Sequence, residues 1–290
     1  MKRILITGAN SYIGTSFESY LSQWPQRYQV DTVDMMGDAW KTMSFSGYDT
    51  VYHVAGIAHS DSGRISPEKE KLYYAVNTEL TVATAKKAKS DGVKQFIFMS
   101  SAIVYGDSAP IGKQKVINKD TPLSPENSYG DSKVQAENGI LPLSDAAFKV
   151  VVLRPPMIYG PGSKGNYPLL SKLAQKVPVF PVVKNCRSML YIGNLVEFVR
   201  LMVENEETGI FWPQNAEYSN TTQLVDLIAQ AHDRKIISVH GCAWLLAMLG
   251  KFTKIVNKAF GSLCYDQQMS QYKQNYQIYS LAESIIQTES

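Results

Sequence analysis

Short apolar runs alternate with helix-forming stretches along the first half of the chain. Five of these runs are rich in β-branched residues: RILITG (3–8), YQVDTVD (28–34), DTVYHVAG (49–56), VKQFIFMSS (93–101) and FKVVVLRP (148–155). Continuous apolar strands of this kind are buried on both faces, as in a parallel sheet that is covered by helices and entered through right-handed crossovers. The pattern therefore predicts an α/β fold with a doubly wound parallel sheet.

Helical periodicity occupies the gaps between these runs. Residues 67–91 are rich in Ala, Lys and Glu with apolar positions three and four apart, and 127–142 is similar, so both are expected to be crossover helices. Further on, the segment GPGSKGNYP concentrates Gly and Pro, and no alternation of the same regularity follows it. We predict one domain over 1–162 and a smaller lobe over 163–290, from which 189–213 returns to the sheet.

Composition and charge exclude several classes of protein. The 29 Lys and Arg barely exceed the 26 Asp and Glu and form no basic block, so nucleic acid is not an expected partner. The three Cys share no short spacing, and the four His pair with none of them in a ligand pattern, which argues against a metal site or a disulfide framework. No apolar run approaches the roughly 20 residues that span a bilayer, and the opening MKRILITG is typical of a strand rather than of a signal peptide. We therefore expect a cytoplasmic protein.

One later segment, 242–260, combines an apolar sequence with three lysines. It predicts either a pair of packed helices in a small lobe, or an apolar, basic-edged surface that contacts a membrane or a lipid-linked substrate. The sequence leaves both interpretations open.

The turn after the first strand has the composition of a phosphate-binding loop. In TGANSYIG, Gly8 and Gly14 flank the step from strand to helix, where Gly lets the backbone approach a pyrophosphate and the helix N-terminus attracts it. Asp34 ends the second strand about 26 positions later, close to the spacing of a carboxylate that binds the adenosine ribose, and Asp31 competes for that role. Because a carboxylate there repels a 2′-phosphate, the sequence favours NAD over NADP.

With these features the chain resembles the extended short-chain dehydrogenase/reductases, and within them the nucleotide-sugar epimerase/dehydratase group typified by UDP-galactose 4-epimerase. The resemblance extends to about residue 235 and implies a Rossmann-type NAD-binding domain followed by a smaller substrate-binding lobe. Ser11 stands where the family usually has the middle glycine of its loop. HVAG (53–56) and Asn77 look like walls of the family's cofactor site, although His53 is more typical of a hydrogen-bonded core histidine. The implied cofactor residues are Gly8, Asn10, Ser11, Tyr12, Ile13, Gly14, Asp34, Val54, Ala55, Gly56, Asn77, Ser100, Tyr129, Lys133 and Pro156.

A catalytic trio is expected around Tyr129. Of the seventeen Tyr, it alone has a Lys four residues later, in SYGDSK, and this spacing puts both side chains on one face of a helix. Chance alone can produce such a pair, so its context decides. Tyr129 and Lys133 lie at the start of a predicted helix, and Tyr129 follows Ser101 by 28 residues. Ser101 itself comes directly after a predicted buried strand. The family places its Ser/Thr, Tyr and Lys at these positions.

These residue types suit the oxidation of a sugar hydroxyl. The hydroxyl must lose its proton as a nicotinamide takes the hydride, and a phenol serves as the base only if its pKa of about 10 is lowered. Lys133 and a positively charged nicotinamide both favour the phenolate, so Tyr129 is expected to act as the general base. Lys133 is also expected to hold the nicotinamide ribose, and Ser101 to orient the substrate and relay the proton.

The residues after Ser101 distinguish the reaction types. Family 4,6-dehydratases carry an Asp-Glu pair there, whereas this chain has Ala102 and Ile103, so elimination of water lacks its acid and base. A C4 epimerase and a 4-ketoreductase remain, and Asp34 favours the epimerase because a closed NAD cycle needs no NADPH. We therefore expect an NAD-dependent C4 epimerase of a UDP-hexose or UDP-N-acetylhexosamine that works through a transient 4-keto intermediate.

The substrate end departs from the family pattern. Met157 stands where the family's Asn contacts the substrate diphosphate, and the late Arg that the family offers has no counterpart near the C-terminus. Asn166 and Arg187 do match diphosphate-binding positions of the family. Ser101 and Ala102 complete the expected substrate contacts. A 4-ketoreductase of a nucleotide 4-keto-6-deoxy-hexosamine and an epimerase of a lipid-diphosphate-linked sugar are therefore the alternatives.

A non-catalytic NAD-binding sensor is the least favoured alternative, because such a protein has no need of Ser101, Tyr129 and Lys133 together. The resemblance also implies a homodimer formed through a helix pair that includes the Tyr129 helix. Surface polysaccharide assembly is the pathway that analogy suggests.

Overall fold

The computed structural model describes residues 1–57, 65–241, 248, 257 and 259–290. The segment 242–260, with its two interpretations, lies almost entirely outside the described residues. The chain divides into two compact units. Unit 1 comprises Met1–Gly106, Leu123–Pro155 and Val196–Pro213, and unit 2 comprises Asp107–Pro122, Pro156–Leu195 and Gln214–Ser290. The domain boundary expected near residue 162 stays a prediction.

Strands and helices alternate along the described part of the chain. The strands are β1 (Lys2–Thr7), β2 (Tyr28–Val33), β3 (Thr50–His53), β4 (Gln95–Met99), β5 (Val116–Ile117), β6 (Lys149–Leu153), β7 (Met157–Tyr159), β8 (Val179–Pro181), β9 (Met189–Tyr191), β10 (Gly209–Phe211), β11 (Ile237–Val239) and β12 (Cys264–Tyr265). The α-helices are α1 (Tyr12–Leu21), α2 (Ala39–Thr42), α3 (Pro67–Tyr73), α4 (Leu80–Ser90), α5 (Ser128–Ile140), α6 (Asn166–Ala174), α7 (Ile192–Glu204), α8 (Thr221–Ala231) and α9 (Leu281–Glu289).

A six-stranded parallel sheet in the order β10-β6-β4-β3-β1-β2 forms the centre of unit 1. It confirms the predicted doubly wound sheet, and all five predicted strands belong to it. Every residue of β3 and β4 is buried, as expected for strands covered on both faces. The chain passes from β1 to β2 on one side and then to β3 on the other, so the loops after β1 and β3 meet where the strand order reverses. Ligands of open parallel sheets bind at such switch points.

The two predicted crossover helices are present, with one difference. The second is α5, but the first is divided, because a π-helical segment, Tyr74–Glu79, separates α3 from α4. A π-helix bonds i to i+5, so it shifts the side chains that follow around the helix axis. Composition does not distinguish such a segment from an ordinary helical turn, which is why periodicity predicts a single helix.

Unit 2 contains more regular structure than its sequence predicts. Three pairs of short strands, β7 with β9, β8 with β11 and β5 with β12, all run parallel. Each of these strands has only two or three residues. A run of that length carries no periodic signal, and for this reason the sequence shows no regular alternation of strands and helices after GPGSKGNYP. In the described part of the chain, no helix has both the length and the apolar character to cross a membrane.

Candidate active site

The turn after β1 packs its backbone against the loop after β3. Gly8 has φ +100°, and a Cβ placed on it would lie 2.8 Å from the backbone nitrogen of Ala55. Asn10 adopts φ +62°, a left-handed conformation that Asn tolerates better than most residues. Only glycine satisfies both the conformation and the spacing at position 8, so this turn has the close approach that a dinucleotide loop requires.

Ser11, which replaces the middle glycine of the family's loop, caps helix α1. Its hydroxyl oxygen accepts a hydrogen bond from the Gly14 backbone N–H at 3.2 Å. A Cβ on Gly14 would lie 2.6 Å from that hydroxyl oxygen, so the cap and the glycine depend on each other. Tyr12 and Ile13 form the first turn of α1, which in the described structure carries no acidic residue to compete with a phosphate.

Asp34 follows β2 directly, and its side chain is exposed. Its Oδ1 accepts a hydrogen bond from the Met36 backbone N–H at 2.9 Å. The competing carboxylate, Asp31, instead accepts a hydrogen bond from the Tyr48 hydroxyl at 2.9 Å within unit 1. Of the two, Asp34 is therefore the carboxylate presented to solvent at the carboxyl end of the sheet.

Asn77 holds the loop after β3 in place. Its Oδ1 accepts from the Ile57 backbone N–H at 2.8 Å, and its Nδ2 donates to the Ile57 carbonyl at 3.2 Å and to Ser132 Oγ at 3.1 Å. The loop runs through Val54 and Gly56, and a Cβ on Gly56 would lie 3.3 Å from Lys133 Nζ. Gly56 thus lets the loop backbone lie close to the Lys133 ammonium, and its place in a cofactor site stays a prediction.

Ser101 and Tyr129 meet at the carboxyl end of β4. Ser101 caps a 3₁₀ turn, Ala102–Tyr105, and its Oγ accepts from the Ile103 backbone N–H at 3.3 Å. Tyr129 is the second residue of α5, which Asn127 caps by accepting from the Gly130 N–H at 2.9 Å. Burial raises the pKa of the Tyr129 phenol, and a hydrogen bond with Ser101 opposes that rise.

Lys133 lies one helical turn beyond Tyr129 and is buried. Its Nζ donates to the Met99 carbonyl at 2.9 Å and lies 4.7 Å from the centre of the Phe98 ring. Burial lowers the pKa of Lys133 to about 8, and the nearby Glu137 carboxylate opposes that shift. The sequence predicts that Lys133 lowers the pKa of Tyr129. In the structure the largest influence on that pKa is burial, which raises it. The positive charge of a bound nicotinamide ring would stabilise the phenolate and so oppose the effect of burial.

His53 is a core histidine, which confirms the interpretation favoured by its sequence context. Its side chain is inaccessible to solvent, with Nδ1 2.6 Å from Thr7 Oγ1 and Nε2 3.0 Å from Thr81 Oγ1. Burial, with a smaller contribution from the Lys133 charge, lowers the pKa of His53 to about 3. The imidazole is therefore neutral and acts as a structural hydrogen-bonding group.

A buried polar network connects the residue before Ser101 to the helix that carries Tyr129 and Lys133, and it was not predicted from the sequence. Ser100 donates to Glu137, which also forms an ion pair with Arg154 at 2.5 Å. Arg154 Nη1 and Trp212 Nε1 both donate to the Tyr105 hydroxyl at 2.7 Å. The sequence contains one indication of this network, since Glu137 follows Lys133 by four residues and therefore lies on the same face of α5.

The other predicted residues occupy ordinary structural positions. Ala102 is buried, and its N–H donates to the Pro155 carbonyl at 2.8 Å. In unit 2, Pro156 is buried, and the exposed Asn166 is the first residue of α6. The Arg187 guanidinium donates to the Ala259 carbonyl at 2.9 Å, and burial lowers its pKa.

The loop, the carboxylate after β2 and the Ser-Tyr-Lys cluster agree with what a family comparison finds. Residues 4–211 match the model of the NAD dependent epimerase/dehydratase family. The chain belongs to this family. Membership confirms the resemblance drawn from the sequence, the enzyme class and the expectation of NAD as cofactor.

Three known proteins illustrate the similarity. A UDP-glucose 4-epimerase of Vibrio cholerae is 30% identical and aligns with 91% of this chain and 87% of its own length. An N-acetyl-alpha-D-glucosaminyl-diphospho-ditrans,octacis-undecaprenol 4-epimerase of Escherichia coli O157:H7 is also 30% identical, over 89% of this chain and 82% of its own. The crystal structure of a UDP-glucuronic acid 4-epimerase from Bacillus cereus with NAD shares the fold, with a TM-score of 0.73 and 17% identity over 99% of this chain and 95% of that one. This protein is an NAD-dependent sugar-nucleotide epimerase or reductase.

Proposed function

We propose that this protein is a C4 epimerase of a diphosphate-linked hexose or N-acetylhexosamine, with UDP as the carrier. The observation that carries the proposal is the hydrogen bond between Ser101 and Tyr129 beside the buried Lys133. It is supported by the two relatives at 30% identity, both of which are 4-epimerases. Ala102 and Ile103, the residues that follow Ser101, carry no acid or base for a dehydratase reaction.

The residues of unit 1 fit a bound dinucleotide. Three glycines allow close backbone packing in this region, since a Cβ on Gly8, Gly14 or Gly56 would lie between 2.6 and 3.1 Å from a protein atom. The N-terminus of α1 suits the pyrophosphate, and the exposed Asp34 suits a ribose hydroxyl. When bound, NAD accepts a hydride from the sugar carbon and returns it, so that no external reductant is consumed.

The chain's own residues move the proton. Tyr129, as phenolate, takes the proton of the C4 hydroxyl and later returns it to the 4-keto oxygen, so it serves first as base and then as acid. Ser101 holds the same sugar oxygen and shortens the proton's path. Lys133 carries the positive charge that favours the phenolate and can hydrogen-bond the nicotinamide ribose. Asn166 and Arg187 remain the candidates for the diphosphate contact.

A lipid diphosphate is the second candidate carrier. The relative that is named for an undecaprenol-diphosphate sugar supports it, since that protein matches this chain nearly as fully as the UDP-glucose 4-epimerase does. Met157 favours neither carrier, because a thioether cannot replace the amide hydrogen bond that the family's Asn gives to a diphosphate and both carriers contain one. Both carriers present the same sugar hydroxyl to Tyr129.

The proposal is tested by offering purified protein UDP-glucose, UDP-N-acetylglucosamine and a short-chain lipid-diphosphate N-acetylglucosamine. Proton NMR of the sugar distinguishes the two C4 epimers. We expect one carrier series to reach an epimer equilibrium with no added cofactor, and Tyr129→Phe to abolish the conversion. Turnover that instead requires stoichiometric reduced cofactor and a 4-keto sugar would identify a reductase and contradict the proposal.

A further inference from the structure

The hydroxyl of Tyr73 is buried and has no hydrogen-bond partner among the described residues. Tyr73 is the last residue of α3, and its side chain is 1% exposed. Its hydroxyl oxygen is among the few buried side-chain polar atoms that find no partner in the described structure. Such a group costs stability in the free protein, and a ligand that offers it an acceptor would remove that cost.

The same side chain lies against the proposed base. The ring centres of Tyr73 and Tyr129 are 5.9 Å apart with an interplanar angle of 44°. Tyr73 is also among the groups that raise the pKa of Tyr129, and burial raises the pKa of Tyr73 itself. The Tyr73 hydroxyl is therefore a neutral donor beside the phenol that exchanges the proton.

The backbone around Tyr73 supports a role for its position. The π-helical segment Tyr74–Glu79 begins at the next residue, and π-helical turns occur frequently at functional sites. The segment also carries Asn77, whose amide holds the loop beside Lys133. The neighbouring Tyr74, in contrast, donates its hydroxyl to Asp131 Oδ2 at 2.9 Å. Adjacent tyrosines thus differ in that one is satisfied by the protein and the other is not.

We propose that Tyr73 is a substrate-binding residue whose hydroxyl hydrogen-bonds a sugar hydroxyl adjacent to the carbon that is oxidised. This assignment rests on the proposed function, because it takes the substrate that Tyr129 deprotonates to be a hexose. The two candidate partners are the hydroxyl on C3, which neighbours C4 in the ring, and the hydroxyl on C6, the exocyclic carbon attached to C5. When the sugar binds, the orphaned donor gains the acceptor that the free protein lacks.

The test compares Tyr73→Phe with a matched control, Tyr52→Phe. Tyr52 lies in β3, is inaccessible to solvent, packs edge-on against Phe17 at 5.2 Å and has an equally unpartnered hydroxyl. Both variants remove a buried hydroxyl without a partner, so both are expected to keep or raise the melting temperature. A Tyr73→Phe protein that melts below wild type would show that the hydroxyl already has a partner in the free protein, and would overturn the assignment.

Kinetics then separate the two variants. We expect Tyr73→Phe to lower kcat/KM by roughly 10- to 100-fold and Tyr52→Phe to leave it unchanged. On the 3-deoxy or the 6-deoxy substrate analogue, whichever lacks the partner hydroxyl, wild type and Tyr73→Phe should become equal. Equal activity of the two on the intact sugar overturns the assignment and leaves the proposed function standing. Wild-type protein that converts no sugar overturns both.

Discussion

The Glu137 carboxylate and the Arg154 guanidinium form a buried ion pair, with 2.5 Å between Oε2 and Nη2. Glu137 belongs to α5, whereas Arg154 directly follows β6. The same carboxylate accepts a hydrogen bond from Ser100, the residue before Ser101. The pair therefore fixes the helix that carries Tyr129 and Lys133 against the strand ends that carry Ser101.

Removing one member of this pair should strongly destabilise unit 1. Glu137→Gln leaves the Arg154 charge buried without a counter-charge, and we expect a loss of about 3–5 kcal/mol in the free energy of unfolding, measured by urea denaturation. A double variant, Glu137→Leu with Arg154→Met, should lose less than Glu137→Gln alone. Lys94→Met is the control, because the Lys94 side chain is 66% exposed and its ion pair with Asp49 should contribute at most about 1 kcal/mol. Equal losses in Glu137→Gln and Lys94→Met would contradict the structure.

Lys133 should make stability rise with pH above neutrality. Burial lowers the pKa of Lys133 to about 8, whereas a lysine in the unfolded chain titrates near 10.4. Between these pH values the unfolded chain binds a proton that the folded chain does not, so the free energy of unfolding increases by up to about 1.4 kcal/mol per pH unit. Below pH 8 the folded protein bears the full cost of the buried ammonium. Wild type should therefore gain stability relative to Lys133→Met between pH 8 and 10, and a constant difference would show that the ammonium is not buried.

His53 should produce a slope of the same sign on the acid side. Burial lowers the pKa of His53 to about 3, while an unfolded histidine titrates near 6.5. As pH falls through this window the unfolded chain takes up a proton first, so stability decreases. His53→Gln should be less stable than wild type at pH 7, because it loses the contacts to Thr7 and Thr81. The gap should narrow at pH 5 in urea titrations, and an unchanged gap would show that His53 is protonated in the fold.

Gly8→Ala should impair cofactor binding beyond its effect on the backbone. Gly8 and Gly92 both have a positive φ, but only at Gly8 would a Cβ meet other atoms, 2.8 Å from the Ala55 nitrogen. Both Ala variants should lose about 1 kcal/mol or more of stability to the left-handed conformation. Only Gly8→Ala should also bind NAD more weakly, by at least tenfold in titration calorimetry. Equal NAD affinity in the two variants would show that this turn does not take part in binding the cofactor.

Much of the central fold can be predicted from the sequence because its signals are local. The five predicted strands of unit 1 are mostly apolar runs, and β3 and β4 are buried along their whole length, as in a parallel sheet covered on both faces. The edge strand Gly209–Phe211 and the short strands of unit 2 depend on tertiary pairing, since three residues carry no period of their own. The π-helical segment is equally invisible, because no residue type marks it.

The candidate site divides in the same way. Tyr129 and Lys133 are four residues apart on one helix, so their spacing predicts their shared face. Ser11 caps helix α1, and this role depends on the detailed geometry of the loop. The glycine pattern predicts the loop but not that geometry. The ion pair of Glu137 with Arg154 and the unpartnered hydroxyl of Tyr73 arise from packing between separate elements, and the spacing of Glu137 from Lys133 predicts their shared helix face but not the partner Arg154.

The most direct test of the epimerase assignment follows a label at C4. UDP-N-acetylglucosamine or UDP-glucose carrying deuterium at C4 is incubated with protein purified without added cofactor, and the product is examined by NMR and mass spectrometry. We expect the opposite C4 epimer with deuterium retained at C4, and loss of this conversion by about 100- to 10,000-fold in Tyr129→Phe. Epimerisation with washout of the label, or full activity in Tyr129→Phe, would contradict a reaction in which hydride leaves and returns to C4 while Tyr129 carries the proton.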